Sequence, residues 1–317
     1  MTEERTKFPV DAGTEDYTDE PERIQEAKWT ASRVWRKSRY AIITIINLAI
    51  FFTLWELVAL YGPFNRLVFP TFSDTMESFK IGWFGGGNLE GFNNRLLADF
   101  VIVENFMESL KLYSISMVIS IGLGIPIGLL MGGSKWVDAI LSPYVWTLSS
   151  LPRIAIYPIL VMMIGIAGSW SFFGIITLED PIQYWVVILT AIFPVIINTW
   201  AGVKTTEQSL INAAKVFGAS RTQLYLKVVL PYTLPFVVTG IQLSLSRGLI
   251  GVVLAEFLTG AQRLGGIGWL IFRSAAVFNS PLTYAALLSL AIFALVLVQG
   301  TRAMEAKIAP WRQQTKA

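Results

Sequence analysis

Glu56, Arg153, Arg247 and Glu256 lie in or beside long apolar stretches of this chain. An ion in hydrocarbon is costly, so each must face protein or water. Arg247 could draw an anion into a path through the membrane. The plainer reading is a structural pair with another span or with a second copy. Arg247 and Glu256 are nine residues apart, about 13 Å along a helix at 1.5 Å per residue, too far to pair within one helix. Asn198, Gln242, Ser244 and Ser246 either line a path or join helices by hydrogen bonds. Catalytic chemistry is poorly provided for. The chain has no His and no Cys, which removes the usual neutral-pH base, the commonest metal ligand and any thiolate nucleophile. It also lacks a G-x-x-x-x-G-K-[ST] run, and even a Gly-Lys dipeptide, so it has no phosphate cradle of that type.

These residues must be positioned by membrane helices. Of 317 residues 54% are hydrophobic and 15% charged, with a mean hydropathy of +0.56. An ordinary globular domain carries roughly a quarter charged residues. A net charge of +3 is too small to point to nucleic acid. No cleavable signal peptide is evident, because the first apolar run begins too deep.

Residues 1–27 are acidic and aperiodic, which predicts disorder. A basic collar (Lys28, Arg33, Arg36, Lys37, Arg39) completes a tail at 1–40. The first span is 41–61. A mixed stretch at 62–104 reads as an external loop, with an interfacial helix near 72–83. Five more spans are expected at about 109–131, 138–164, 182–203, 234–258 and 283–301, and the chain closes with a basic tail at 302–317. The 165–184 and 259–281 stretches read as external. Stretches assigned inside carry 14 bases and those outside five, so the positive-inside rule puts both termini in the cytoplasm. In the second span Ser116, Ser120, Gly124, Gly128 and Gly132 recur every fourth residue, a stripe that lets another backbone approach closely.

Between spans four and five lies a polar interruption, 205–231. Thr205-x-x-Gln208 and Ser220-x-x-Gln223 have the capping-box pattern. Leu210, Ala213, Ala214 and Phe217 give the first helix an apolar face, and Gly218 suits the left-handed residue that ends it. Leu224 and Val228 face one side of a second helix, expected to stop before Leu230-Pro231. The bland reading is an amphipathic loop on the lipid surface. The alternative is a docking surface for a soluble partner.

The run AAKVFGASRTQLYLKVVLPYTLPFVVTG resembles the EAA loop of ABC importer permeases, with Ala213, Ala214, Gly218, Pro231, Pro235 and Gly240 fitting the pattern. SRGLIGVVLAEFLTGAQRLGGIGWLI, 246–271, is similar to the nitrate, sulfonate, taurine and bicarbonate subfamily. The resemblance covers about 105–301. It implies an all-α polytopic membrane protein with the type I ABC importer permease fold and about six transmembrane helices. It further implies a bacterial inner-membrane, non-catalytic subunit that binds no cofactor of its own. The implied assembly is a permease homodimer with two cytosolic ATPases that bind ATP and Mg²⁺, and an extracytoplasmic solute-binding protein. Asn212, Ala213, Ala214, Gly218, Ala219, Arg221 and Pro231 would form the ATPase-coupling loop, and Asn198, Ser244, Arg247 and Glu256 the candidate pathway. Asn212 departs from the pattern, since the family has Glu there. The cargo implied is a small anion such as a sulfonate, nitrate or organic carboxylate. A neutral or cationic heterocycle such as a thiamine precursor is the alternative. A secondary transporter would leave the EAA-like loop without a role.

Overall fold

The computed structural model describes residues 39, 42–86, 100–164, 170–172, 176–178, 181–259 and 265–308. The acidic tail, all of the basic collar but Arg39, the 87–99 stretch and the tail beyond 308 lie outside the described residues.

The chain divides into two units, one ending at Gly62 and one beginning at Pro63. The first contributes α1 (Ile42–Tyr61), a 20-residue apolar helix long enough to cross a bilayer. Glu56 lies toward its C-terminal end.

The second unit is a helix bundle. It runs α2 (Phe72–Phe84), α3 (Val101–Gly133), α4 (Lys135–Ser150) and α5 (Arg153–Ile164), then strands β1 (Trp170–Phe172) and β2 (Ile176–Leu178). It continues with α6 (Pro181–Lys204), α7 (Gln208–Val216), α8 (Arg221–Leu224), a π-helical turn at Tyr225–Val229, α9 (Leu230–Thr259), α10 (Ile267–Ala276) and α11 (Ser280–Ile308). Including α1, five described helices are long and apolar enough to span. The α4–α5 pair makes a sixth if it is counted as one broken span.

The bundle is organised around α6, which is buried along most of its length. Small residues let its neighbours come close. A Cβ built on Gly124, Gly128 or Gly132 of α3 would lie 2.9 Å or less from Val195, Ile196, Thr199 or Val203 of α6. On the other side, a Cβ on Gly240 or Gly251 of α9 would come within 3.2 Å of the backbone of α6. Ser244 of α9 donates to the Ala191 carbonyl of α6 at 2.6 Å. In lipid there is no hydrophobic drive to pair apolar helices, so close van der Waals contact and such hydrogen bonds hold the bundle. Leu112, Met117, Val187, Ala191, Val252 and Ala255 fill the space between the three helices.

Several elements differ from the expectations. The single span at 138–164 is two helices whose axes meet at 112°. Leu151 is extended (φ −69°, ψ 138°), as the residue before Pro152 is driven to be. The 165–184 stretch contains an antiparallel pair, Trp170 opposite Leu178, rather than loop alone. The second loop helix does not stop at Leu230. The chain stays helical from Arg221 to Thr259, because the Leu230 N–H reaches back five residues to the Tyr225 carbonyl. That wide turn accommodates Pro231, which has no N–H and whose ring would press on the carbonyl four residues back. The 259–281 stretch, read as external loop, contains α10, whose Ile267 and Leu270 are fully buried beside Ile102, Leu282, Ala285 and Ala286.

Gly128→Leu should therefore overpack the α3–α6 contact at a cost of about 1–3 kcal/mol or more, read as a lowered midpoint of thermal unfolding in detergent. Gly122→Ala, which meets nothing within 4 Å, should leave the midpoint unchanged or slightly raised.

Candidate functional site

The loop between α6 and α9 begins where α6 ends. Thr205 does not cap α7. Its N–H and its hydroxyl both bond the Ala201 carbonyl, at 2.9 and 2.8 Å, so it completes α6, and α7 starts from Glu207 without a side-chain cap. The expected first capping box is thus absent, because the preceding helix has already used its threonine.

The far end of α7 follows the sequence pattern. Gly218 is left-handed (φ +78°). Its N–H bonds the Lys215 carbonyl and that of Ala219 bonds Ala214, both at 3.0 Å, the paired bonds of a Schellman ending. Ser220 then opens α8 with a complete capping box: its hydroxyl accepts from the Gln223 N–H, and the Gln223 side chain accepts from the Ser220 N–H. Arg221 is exposed in the first turn of α8. One turn further, the Tyr225 hydroxyl donates to the Leu129 carbonyl of α3 at 2.8 Å, and its ring sits where a Cβ on Gly133 would touch it.

A second anchor was not anticipated from the sequence. Lys204, the last residue of α6, pairs with Asp138 of α4 at 2.8 Å. The same carboxylate accepts from Trp200 at 2.8 Å and Ser142 at 2.7 Å. The available signal was an acid within a nominally apolar span, Asp138, near a basic residue that closes another.

Between these anchors α7 stands clear. None of its residues is buried. Val216 is 85% and Phe217 90% exposed, and Leu210 and Ala213 are exposed with them. Asn212 is exposed and accepts from Gln208, one turn back, at 3.0 Å. A neutral hydrogen bond thus occupies the position where the resembled pattern has a carboxylate. The arrangement is an amphipathic helix with a rigid base and an uncovered apolar end.

The four residues considered for a pathway separate. Asn198 donates to Pro194 within its own helix at 2.8 Å, and its Cβ faces Gly240 of α9. Ser244 is fully buried and bonded to α6. Both join α6 to α9.

Glu256, 2% exposed, organises the α9–α10 corner. One carboxylate oxygen accepts from Ser109 of α3 at 2.6 Å, and the other from the Gly268 N–H at 2.7 Å. Ser109 in turn accepts from the Ile267 N–H at 2.7 Å. Two of the unpartnered N–H groups at the start of α10 are thereby satisfied. A Cβ on Gly266 or Gly268 would collide with this carboxylate, which explains two glycines of the LGGIG run. Arg247 is exposed and has no acidic partner among the described residues. Of Arg153 only the backbone is described.

Glu256→Ala should destabilise the fold by at least about 1–3 kcal/mol, the cost of leaving a buried donor unsatisfied. Thermal unfolding in detergent would show it. Glu256→Gln, which keeps the shape and an acceptor oxygen, should lose less.

Residues 124–311 match the family model described as "Binding-protein-dependent transport system inner membrane component". The chain is 28% identical over 283 residues to the taurine transport system permease protein TauC of Escherichia coli (strain K12), covering 89% of this chain and 94% of that one. It is 24% identical over 264 residues to the putative aliphatic sulfonates transport permease protein SsuC of Bacillus subtilis (strain 168), covering 83% and 85%. In structure it is similar to a chain of the MetNI methionine ABC transporter in an inward-facing conformation, with a TM-score of 0.54 at 18% identity, over 66% of this chain and 97% of that one.

Proposed function

The chain belongs to the family of binding-protein-dependent transport system inner membrane components, and on that premise we propose that its 205–231 loop is where an ATPase drives it. The protein is a multi-pass inner-membrane permease subunit of an ATP-driven ABC importer, with ATP hydrolysis supplied by a separate chain. The coupling role of the loop is our reading. α7 would seat its exposed end, Val216 and Phe217, in a groove of a cytosolic ATPase, with Asn212, Ala213, Ala214, Ala219 and Arg221 around the contact. This reading places the loop and both termini in the cytoplasm.

One observation carries it. A large apolar side chain 90% exposed at the tip of a helix needs a partner, and the helix base is tied to the bundle at two points. Tyr225 holds it to α3 and Lys204 to α4. A displacement of α7 would therefore reach the transmembrane helices without being absorbed by a slack loop. Pro231, just after the π-helical turn, joins this assembly directly to α9.

The working assembly in this reading is two copies of the permease, two ATPase chains that bind ATP and Mg²⁺, and an extracytoplasmic solute-binding protein. The cargo is a small anion such as a sulfonate, nitrate or organic carboxylate. The permeases similar to this chain support that class, since one is named for taurine and another for aliphatic sulfonates.

Phe217→Asp tests the coupling role. Because Phe217 contributes almost no burial to the permease, the variant should fold normally. Capture of the partner ATPase from detergent extracts should fall at least ten-fold, as for a centrally placed interface residue. Undiminished capture would refute the assignment. Asn212→Glu, which restores the acid of the resembled pattern, should hold the ATPase as well as or better than the native chain.

A further inference from the structure

We propose that Arg247 lines a water-filled part of the translocation path and selects cargo of negative charge. This rests on the importer reading above. The side chain is exposed near the middle of α9, 12 residues before the helix ends at Thr259. That is about 18 Å at 1.5 Å per residue, too deep for the side chain to snorkel to water from that end. Leu243, Ser246 and Ile250 are exposed beside it. Arg247 lies one turn from Ser244 and from Gly251, at the edge of the face that packs on α6, and Leu243, Ser246 and Ile250 continue from it away from that face. Arg247 and Ser246 thus form a polar island on an otherwise apolar outer surface of α9.

Lipid, protein or water could cover that island. Lipid is excluded by the cost of an unpaired guanidinium at the centre of a span. A second copy sealed against the same face would bury the guanidinium and close it to water-soluble reagents. Water, entered by an anion, satisfies the charge at low cost. A guanidinium can bind carboxylate, nitrate or sulfonate oxygens in pairs through its fork of N–H donors. It repels cations of the same size.

The chain has no cysteine, so Ser246→Cys in the full-length protein, in native membrane vesicles, places a single thiol beside Arg247. Water-soluble anionic and cationic methanethiosulfonates are the probes. The thiol at 246 should react at least ten-fold faster than one introduced by Val118→Cys, an exposed position in an apolar part of α3. The anionic reagent should be favoured over the cationic one by roughly five-fold, the effect of a unit charge several ångströms away in water. Adding Arg247→Gln should abolish that preference and Arg247→Lys should keep it. A thiol at 246 no more reactive than at 118 would overturn the proposal, because the face would then be sealed. So would rapid reaction whose charge preference is unchanged by Arg247→Gln. ATPase capture through α7, measured on the same membranes, reports separately on the coupling reading.

Discussion

The close approach of α3 and α9 to α6 is the constraint on which the rest of the molecule depends. Hydrocarbon offers apolar helices no reason to associate, so backbones must touch. At Gly124, Gly128 and Gly132 on one side and Gly240 and Gly251 on the other, a single Cβ would prevent it. Once α6 is clasped in this way, its last residues are fixed in space. Lys204 can then hold Asp138, and the loop that follows starts from a defined point. The same contact fixes the rotation of α9 about its axis. That rotation decides which of its polar residues turn inward and which turn out.

The loop inherits its stiffness from short-range rules. Its turn combines a Schellman ending at Gly218 with a capping box at Ser220. Each bond there satisfies a backbone group that the break between α7 and α8 would otherwise leave open. The π-helical turn performs the matching task at Pro231 and passes the chain into α9 without a hinge. Tyr225 fixes this run to α3. A helix standing on such a base can keep Val216 and Phe217 exposed without collapsing onto the bundle.

Much of this was legible in the residues. Apolar length located the long helices, and the four-residue recurrence from Ser116 to Gly132 named the face of α3 that meets α6. Gly218 and the Ser220 box marked the loop's turn because capping is local chemistry. What failed was non-local, or depended on which element used a group first. The Thr205 pattern was sound, but α6 extended far enough to take its hydroxyl. Helix α10 was hidden because ten residues are too few to span. Its stability comes from Ser109 and Glu256, two residues distant in sequence. The bend at Leu151–Pro152 sits at a proline, which drives the residue before it to extended backbone, but its angle depends on packing that the local sequence does not state.

Arg247 and Glu256 show how such failures can be reduced. As residue types they look alike, one ion each in the same apolar helix. Nine residues at 3.6 per turn are two and a half turns, so the two must point to opposite sides of α9. Glu256 continues the inward row of Gly240, Ser244, Gly248 and Val252, a row already marked as a packing face by its small residues. A carboxylate on that row meets protein and finds N–H and O–H donors. Arg247, half a turn from Glu256 and exposed at the edge of the α6-facing side, meets whatever surrounds the bundle, and in a membrane protein that cannot be lipid alone. The same periodicity that sorts the faces of a soluble helix here sets the carboxylate that builds the α10 corner apart from the exposed guanidinium.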